Sequence, residues 1–315
     1  MIGPDGYRTS ALGTQCSLVA YDDPPSSDAI SVFLELIAQM DLAASRFRED
    51  SEINRVFNGQ AHKRVAVSPL LFDALAAALY GAEMTSGYLD PTVAGSMAAL
   101  GYRADFVKTL ASGALGLDEL RIVIPPGYRS VRLNKTNRTV TVAQGVTFDL
   151  GSTGKAFLAD RIRETIELKL SEPVLVNLGG DISASRIGDG RFWPVKVTDD
   201  RGLDPSSVGI TIAVFGGGVA TSSTLHRAWK NGDKDLHHIV DPFSGLSADS
   251  MFDSVTVLAG SALDANIASS GTIAMGPKGP GWLASTGLPA FARNADSQRR
   301  YFGHFEQVIV ERELS

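Results

Sequence analysis

The stretch 232–245 brings together residue types suited to acid–base chemistry. Two of the chain's five histidines, His237 and His238, stand side by side, and Asp241 follows them shortly afterwards. The Pro-Phe-Ser-Gly sequence that comes next predicts a tight turn. Since imidazole titrates near neutral pH, a histidine held beside a carboxylate can accept or release a proton. We therefore interpret this stretch as the rim of a pocket rather than as part of a core.

Two other interpretations of these residues are weaker. Neighbouring side chains on a strand point to opposite faces, so His237 and His238 are poorly placed to ligate one zinc ion. One of the two is expected to face a pocket and the other to pack. The hydroxyl cluster 221–223 with His238 and Asp241 could suggest a serine hydrolase, but the chain has no Gly-x-Ser-x-Gly elbow.

A second candidate site is the segment Asp149-Leu-Gly-Ser-Thr-Gly-Lys155-Ala156. A strand, a glycine turn and a helix start form an anion site, because free backbone N–H groups and the helix dipole converge there. A phosphate-binding P-loop would need glycine at position 149 and Ser or Thr at position 156. The P-loop interpretation therefore fails, and the alternative is a tight strand–helix turn with a solvated lysine.

Two shorter segments combine turn residues with an acid. In Asn177-Leu-Gly-Gly-Asp181 a strand leads into two glycines, which allow either close approach of a ligand or a simple hairpin. The sequence Asp90-Pro-Thr92 is a common turn and cap arrangement, and on local evidence a structural role is favoured there.

Composition narrows the functional classes. The chain has 315 residues, 44% of them hydrophobic, with a net charge of −6 that argues against a nucleic-acid-binding face. Its single cysteine, Cys16, excludes a disulfide framework and a multi-cysteine metal site. No apolar run approaches the roughly 20 residues that span a bilayer. The first residues show no signal peptide pattern, so a cytoplasmic location is expected.

Strands are expected to outnumber helices without alternating strictly with them, which favours an α+β fold. Residues 1–315 are interpreted as one compact unit. Helices are predicted from Asp28 as a cap, from Ser68 and Pro69 to about Gly87, over about Lys155–Leu170, and over Ser261–Met275. Strands are predicted at 13–21, 120–124, 131–133, 139–142, 146–150, 174–178, 193–197, 209–214, 254–258 and 307–310.

Several short motifs occur in a fixed order along the chain. In that order the chain resembles the ApbE family, the FAD:protein FMN transferases, over roughly residues 12–290. The resemblance implies an ApbE-like (T-fold-like) fold of mixed or antiparallel sheets flanked by helices. The motifs that carry it are Leu12-Gly13-Thr14, Ser51-Glu52-Ile53, Leu89-Asp90-Pro91-Thr92, Asp149-Leu150-Gly151 with Lys155, Asn177-Leu178-Gly179-Gly180-Asp181, Thr221-Ser222-Ser223, and His237–Pro242 with Gly245.

The chain departs from the family's motifs at several positions. Leu12 stands where the family has methionine, and Ser223 where it has glycine. Ser152-Thr153-Gly154 and Ala156 replace Gly-Ile-Ala and Gly around the lysine. Asn266 aligns with the family's metal-binding aspartate and Ser270 with its threonine, while Asp264 lies two residues upstream of Asn266.

The resemblance implies Mg²⁺-dependent transfer of the FMN part of FAD to a Thr or Ser hydroxyl of an acceptor flavoprotein, with release of AMP. In that reaction His238 would be the general base, Asp241 would orient its imidazole, and Lys155 would face the phosphates. A larger set would contact FAD: Thr14, Asp90, Thr92, Asp149, Gly151, Asn177, Gly179, Gly180, Asp181, Thr221, Ser222 and His237.

The resemblance also implies a Mg²⁺ site made of the Gly154 carbonyl, Ser270 and either Asp264 or Asn266. An asparagine in place of an acid removes one ligand charge, so weaker Mg²⁺ binding is expected, although an amide oxygen remains a usable ligand. Two alternatives stay open. One is a Mg²⁺-dependent FAD pyrophosphatase that yields FMN and AMP, and the other is a non-catalytic FAD-binding protein.

Overall fold

Serine caps set where two of the helices begin. In the structure, a computed structural model that describes residues 2–3, 6–57, 64–102, 121–198, 209–225, 227–231 and 234–312, the Ser26 hydroxyl accepts the N–H of Ala29 at 3.1 Å. The Ser68 hydroxyl accepts the N–H of Leu71 at 3.3 Å, so helices follow both serines directly. The described helices are α1 (Ser27–Ala44), α2 (Glu52–Phe57), α3 (Pro69–Met84), α4 (Ala94–Ala99), α5 (Gly154–Leu170), α6 (Ala262–Ala274) and α7 (Gly279–Thr286).

The strands show the alternation expected of sheets with one packed face. In one of them Trp193, Val195 and Val197 are buried, while the residues between them are exposed. The strands are β1 (Ile2–Gly3), β2 (Gly6–Ala11), β3 (Thr14–Ala20), β4 (Arg64–Ala66), β5 (Val131–Asn134), β6 (Thr139–Val142), β7 (Val174–Leu178), β8 (Asp181–Ala184), β9 (Trp193–Thr198), β10 (Gly209–Val214), β11 (Gly217–Ser223), β12 (Ala228–Asn231), β13 (Lys234–His237), β14 (Val240–Asp241), β15 (Leu246–Ser247), β16 (Ser254–Ala259), β17 (Ala290–Arg293), β18 (Arg299–Phe302) and β19 (Ile309–Arg312).

A nine-stranded sheet in the order β1-β2-β3-β7-β8-β11-β16-β17-β18 forms the centre of the fold. Its described neighbours pair antiparallel throughout. Smaller sheets have the orders β19-β10-β9, β4-β6-β5, β12-β13 and β14-β15. The expected α+β class with antiparallel sheets and flanking helices is thereby confirmed.

Side chains on the two faces of the central sheet belong to different cores. Val174, Val176 and Leu178 of β7 pack with α1, α3 and α5 in one cluster. Leu175, which points the other way, packs against the β9–β10 layer. The sheet therefore lies between a helical layer and a second, smaller sheet, and α6 covers the neighbouring strands β11 and β16.

Two smaller clusters attach the β12–β13 hairpin and the histidine segment to the helices. Trp229 and Leu236 of the hairpin pack with Leu100 at the end of α4. Ile239, next to His238, packs with Ile267 of α6. The paired-histidine segment is thus held between α4 and α6.

Some predicted elements differ from the structure. The 146–150 segment is not a strand, because the Asp149 N–H bonds to the Pro91 carbonyl at 2.8 Å instead of to a neighbouring strand. Residues 121–124 are likewise outside any strand, and residue 120 lies outside the described residues. The 307–310 prediction covers the end of a 3₁₀ turn and the start of β19. Ser26 rather than Asp28 caps α1.

No helix among the described ranges combines the length and the apolar character that crossing a membrane requires.

Candidate active site

Two polar side chains from separate segments of the chain contact the carboxylate of Asp181. The Lys155 ammonium lies 3.0 Å from Asp181 Oδ2, and the Asn266 amide donates to Asp181 Oδ1 at 2.8 Å. The side chains of Lys155 and Asp181 are only 18% and 4% exposed. A nearly buried charge pair of this kind loses much of its hydration, so it needs each of these contacts.

Each member of this network stands at the end of a regular element. Lys155 is in the first turn of α5, Asp181 is the first residue of β8, and Asn266 is in the second turn of α6. The Asp181 carboxylate therefore ties the helix that follows the glycine turn to the small-residue helix. We name this set, Lys155, Asp181 and Asn266, the central polar network.

The structure separates the two candidate metal residues of α6. Asp264 bonds to Ser261, the N-cap of α6, whose hydroxyl donates to Asp264 Oδ2 at 2.8 Å and accepts the Asp264 N–H at 3.0 Å. The Tyr80 hydroxyl donates to Asp264 Oδ1 at 3.2 Å. Asn266, two residues later, points to Asp181 on another side of the helix. Only Asn266 belongs to the central polar network.

Hydroxyl groups line the boundary between α6 and β11. The Ser222 hydroxyl lies 2.6 Å from the Ser270 hydroxyl and 2.9 Å from the Ser269 hydroxyl. Ser270 follows Asn266 by one helical turn, so both present oxygen atoms along one side of α6. Thr221 points to the opposite face of β11, where its hydroxyl pairs with Thr256 at 2.9 Å.

The backbone of the turn between β7 and β8 requires glycine at both of its positions. Gly179 and Gly180 have φ values of 70° and 99°, which favour glycine. A Cβ atom on Gly179 would lie 2.3 Å from the Thr14 hydroxyl. The Gly180 N–H bonds to the Asn177 side chain at 2.8 Å. The hairpin interpretation of this segment is confirmed, and the turn delivers Asp181 to the network.

The glycine turn before α5 is held by an arginine that the sequence did not single out. Arg46 Nε lies 2.5 Å from Asp149 Oδ2, and both side chains are largely buried. Asp149 Oδ1 accepts the Gly151 N–H at 2.6 Å. Gly154 then begins α5 with its N–H bonded to the Leu150 carbonyl. Asp149 and Gly151 thus shape the turn that presents Lys155.

The side-chain oxygens of Asp90 and Thr92 form hydrogen bonds with other groups of the protein. Asp90 Oδ1 accepts the backbone N–H and the hydroxyl of Thr92, at 2.8 and 2.6 Å. Asp90 Oδ2 accepts the Tyr128 N–H, and the Thr92 hydroxyl accepts the Gly127 N–H. The two side chains therefore fasten the 127–128 segment, which agrees with the turn-and-cap interpretation.

The two adjacent histidines have different surroundings. His237 Nε2 lies 3.0 Å from the Ala248 carbonyl, and its Nδ1 accepts the Ile239 N–H at 3.3 Å. Burial lowers the pKa of His237, while the bond to Ala248 acts in the opposite direction. His237 is accordingly the packing member of the pair, with both ring nitrogens engaged in its own loop.

His238 differs from His237 in having, among the residues that the structure describes, a ring nitrogen without a hydrogen-bond partner. Its Nδ1 is buried and has no hydrogen-bond partner within the described residues. Burial holds the pKa of His238 well below 6.5, and the positive charges of Arg227, His237 and Lys155 act in the same direction. Its neighbour Ile239 packs in the same cluster as Ile267 of α6, the residue after Asn266. At neutral pH His238 is therefore uncharged and can accept a proton.

Asp241 forms its hydrogen bonds within its own loop in this structure, and its role in orienting His238 stays a prediction. Its Oδ1 accepts the Phe243 N–H at 3.0 Å, and its carbonyl accepts the Gly245 N–H at 2.8 Å. No hydrogen bond joins Asp241 to the His238 ring in the described part of the chain. Through the Phe243 N–H the carboxylate helps to close the turn that follows the histidines.

Asp160 is a second residue that sequence reasoning missed. Its carboxylate accepts the N–H groups of Ala262 and Leu263 at the start of α6, and the hydroxyl of Ser183. Burial raises the pKa of Asp160, and these bonds oppose that shift. Asp160 caps a helix 102 residues further along the chain. No local sequence pattern could have revealed a contact of that range.

An antiparallel sheet, flanked by helices, that brings a lysine, an aspartate and an asparagine from three elements into one hydrogen-bonded network defines an α+β protein with a buried polar site. The sequence profile of the ApbE family matches residues 12–292, so this chain belongs to the ApbE family.

Individual relatives agree with this assignment. The FAD:protein FMN transferase of Treponema pallidum is 28% identical over 284 residues, which cover 84% of this chain and 77% of the relative. The crystal structure of the ApbE protein of Thermotoga maritima has a TM-score of 0.79 at 25% identity, covering 97% of this chain and 99% of that one. The flavin transferase ApbE of Vibrio cholerae shares the fold with a TM-score of 0.75 at 19% identity, covering 96% and 98%.

Proposed function

We propose that this protein transfers the FMN part of FAD to a Thr or Ser hydroxyl of an acceptor flavoprotein, in a Mg²⁺-dependent reaction that releases AMP. Its relatives in Treponema pallidum and Escherichia coli are FAD:protein FMN transferases, which supports flavin transfer. The observation that carries the proposal here is the position of Lys155. It contacts Asp181 directly and reaches Asn266 of the small-residue helix through that carboxylate.

The residues suit the cleavage of a pyrophosphate. The positive end of the α5 dipole lies at the glycine turn, and the cationic Lys155 is in the first turn of that helix, so both favour an anionic group. The hydroxyl oxygen of the acceptor forms a bond to the phosphorus of the FMN phosphate, and the bond from that phosphorus to the bridging oxygen breaks. AMP leaves with the electron pair, and the hydroxyl proton passes to a ring nitrogen of neutral His238.

The oxygen atoms near Asp181 suit a magnesium ion, which prefers oxygen ligands. Asn266 Oδ1 is buried without a hydrogen-bond partner among the described residues, and a cation would relieve the cost of that unpaired acceptor. Ser270 and the Gly154 carbonyl are the further candidate ligands. When bound, Mg²⁺ supplies neutralisation of charge on the pyrophosphate.

The candidate ligand set carries little charge. Across the described ranges, no group of three or more His, Cys, Asp or Glu side chains is placed to hold a metal ion. Asn266 and Ser270 contribute neutral oxygens, so much of the attraction for Mg²⁺ must come from the phosphates of FAD. We therefore expect Mg²⁺ and FAD to bind cooperatively.

One incubation tests the proposal against its alternatives. The protein is mixed with FAD, Mg²⁺ and a flavoprotein that carries an acceptor threonine, and the products are separated by mass spectrometry. Flavinylated acceptor plus AMP supports transfer. Free FMN plus AMP in equal amounts, with unmodified acceptor, would identify a pyrophosphatase, and unchanged FAD that remains bound would identify a binding protein.

A histidine pair provides the matched control. Replacing His238 with alanine should abolish product formation and leave FAD bound, because a neutral base contributes to the chemical step rather than to ground-state affinity. Replacing His237 with alanine should lower stability but preserve product formation. Equal loss of FAD binding in both variants would instead assign His238 a structural role.

A further inference from the structure

A stack of side chains lies between the glycine turn and the histidine loop. The Arg46 guanidinium lies 4.7 Å from the centre of the Tyr102 ring. Tyr102 stacks on Trp229 with ring centres 5.6 Å apart and an interplanar angle of 17°. Both aromatic side chains are buried, at 3% and 6% exposure. We name these three residues the Arg46 stack.

One end of the stack holds the turn before α5. Arg46 Nε pairs with Asp149 Oδ2, and Asp149 Oδ1 accepts the Gly151 N–H. The two remaining guanidinium nitrogens donate to the Tyr102 carbonyl at 3.2 and 3.3 Å. The guanidinium therefore has fixed partners on both sides, and a shift of Arg46 would move the turn that carries Lys155.

The other end of the stack holds the loop of His238. Trp229 lies in β12, which pairs with β13 up to His237, and its indole N–H donates to the Leu100 carbonyl at 3.0 Å. The N–H of His238 bonds to the Arg227 carbonyl, just before β12, at 3.2 Å. A shift of Trp229 would therefore move the imidazole.

We propose that Arg46, Tyr102 and Trp229 are positioning residues that set the separation between Lys155 and His238. This inference rests on the proposed function, since that separation matters only if a phosphate group and a proton acceptor act in one step. A displacement of about 1 Å can reduce a rate by about 100-fold when reacting groups lose alignment. Cation–π and stacked aromatic contacts are directional enough to hold such a distance.

The chain contains a matched control on the opposite side of the sheet. Arg191 lies 5.0 Å from the Tyr21 ring, Tyr21 contacts Trp193 at 5.1 Å, and Arg191 also pairs with Asp22. The Trp193 indole donates to the Ser185 carbonyl at 2.8 Å. The residue types match the Arg46 stack, although Tyr21 and Trp193 meet edge to face, and these residues belong to the β9–β10 layer.

Steady-state kinetics of variants distinguish a positioning role of the Arg46 stack from a purely structural one. In Arg46→Lys, which keeps the charge and loses the planar fork, and in Trp229→Leu, we expect kcat for FMN transfer to fall about 10- to 100-fold. The KM for FAD should change less than about threefold. Trp229→Phe should recover most of the rate. Arg191→Lys and Trp193→Leu should leave kcat unchanged, and an equal loss of kcat in these controls would overturn the proposal.

Hydrogen exchange tests whether the Arg46 stack couples the turn 149–154 to the segment 237–245, and it does not depend on enzyme activity. Trp229→Leu should speed amide exchange in the distant turn 149–154, and Arg46→Lys should speed exchange in 237–245. Faster exchange confined to the mutated end in both variants would overturn the proposal. If the wild-type protein makes neither flavinylated acceptor nor FMN, the proposed function fails, whereas the exchange result still decides whether the stack couples the two segments.

Discussion

The central polar network contains a buried ion pair that the stability of the fold does not by itself require. Replacing a buried ion pair by apolar residues of similar volume is often neutral or stabilising, because removing two charges from water costs about as much as their attraction returns. Lys155 and Asp181 are nonetheless held in contact at 3.0 Å. Asn266 adds a neutral amide, whose unpaired oxygen faces no donor among the described residues.

The positions of Asn266 and Asp264 predict unequal effects of the same substitution. Asn266→Ala removes an oxygen from the proposed metal site and should raise the Mg²⁺ concentration needed for half-maximal FAD turnover about tenfold, which corresponds to about 1.4 kcal/mol. Asp264→Ala removes the carboxylate that accepts the hydroxyls of Ser261 and Tyr80 at the start of α6, and should lower stability by about 1 kcal/mol. The Mg²⁺ requirement of that second variant should not change. Titrating Mg²⁺ against both variants makes the comparison, and equal shifts would move the metal away from Asn266.

The low pKa of His238 predicts the acid side of the pH profile. A proton acceptor works in its neutral form, and burial together with nearby positive charges holds the pKa of His238 well below 6.5. The kcat/KM for FAD should therefore stay level from about pH 6.5 upward with respect to this group, and decline only in more acidic solution. His238→Gln should lower kcat about 10²- to 10⁴-fold. An acid limb of the wild-type profile centred above pH 6.5 would contradict this assignment.

The same shift has a consequence for stability. Because the folded pKa of His238 lies below its unfolded value, the unfolded chain binds more protons in the interval between them. The contribution of His238 to the free energy of unfolding is therefore complete above about pH 6.5 and is lost as the pH falls toward the folded pKa. In His238→Gln this part of the decline should be missing from urea unfolding curves measured between pH 7 and pH 5.

At the scale of elements, the turn that leads into α5 contains a buried hydroxyl without a hydrogen-bond partner among the described residues. Thr153, where the family has isoleucine, is 2% exposed, and its hydroxyl has no hydrogen-bond partner among the described residues. Its methyl group faces Gly81 of α3, where a Cβ would lie 3.3 Å away. A buried hydroxyl without a partner costs about 1–3 kcal/mol.

Two buried threonines therefore predict opposite outcomes of one substitution. Thr153→Val removes an unpaired hydroxyl and should raise the free energy of unfolding by about 1 kcal/mol. Thr85→Val removes a hydroxyl that donates to the Gly81 carbonyl and accepts the Leu89 N–H, so stability should fall by about 1–2 kcal/mol. Urea unfolding of both variants measures the two signs. A destabilised Thr153→Val would mean that its hydroxyl has a partner in solution.

Local sequence patterns predicted the helices, whose hydrogen bonds join residues close in sequence. They missed the segments whose hydrogen-bond partners lie far along the chain. The capped helix α3 and the small-residue helix α6 agree with prediction to within a few residues. The apolar run 146–150 reads like a strand, yet its Asp149 N–H bonds to Pro91. For the same reason nothing in the sequence marked Arg46 or Asp160, whose partners lie about 100 residues away.

At the scale of the whole molecule, the site is where separate layers meet. The turn before α5 belongs to the large helical core, Asn266 belongs to the helix that covers β11 and β16, and His238 follows the β12–β13 hairpin. The sequence motifs indicated which segments take part. Their convergence depends on long-range contacts, such as Asp160 capping α6 and Trp229 packing beneath α4.

A ligand that contacts all of these layers should stabilise the molecule as a unit. FAD with Mg²⁺ at 100 times its dissociation constant should add about 2.7 kcal/mol to the free energy of unfolding, which corresponds to an increase in Tm of roughly 5 °C for a chain of this size. Mg²⁺ alone should have little effect, because Asn266 and Ser270 offer only neutral oxygens, and its effect should appear only when FAD supplies phosphates. Thermal scans with each ligand alone and with both measure the difference. Equal stabilisation by Mg²⁺ with and without FAD would show that the protein holds the ion by itself, and the shared site would then be wrong.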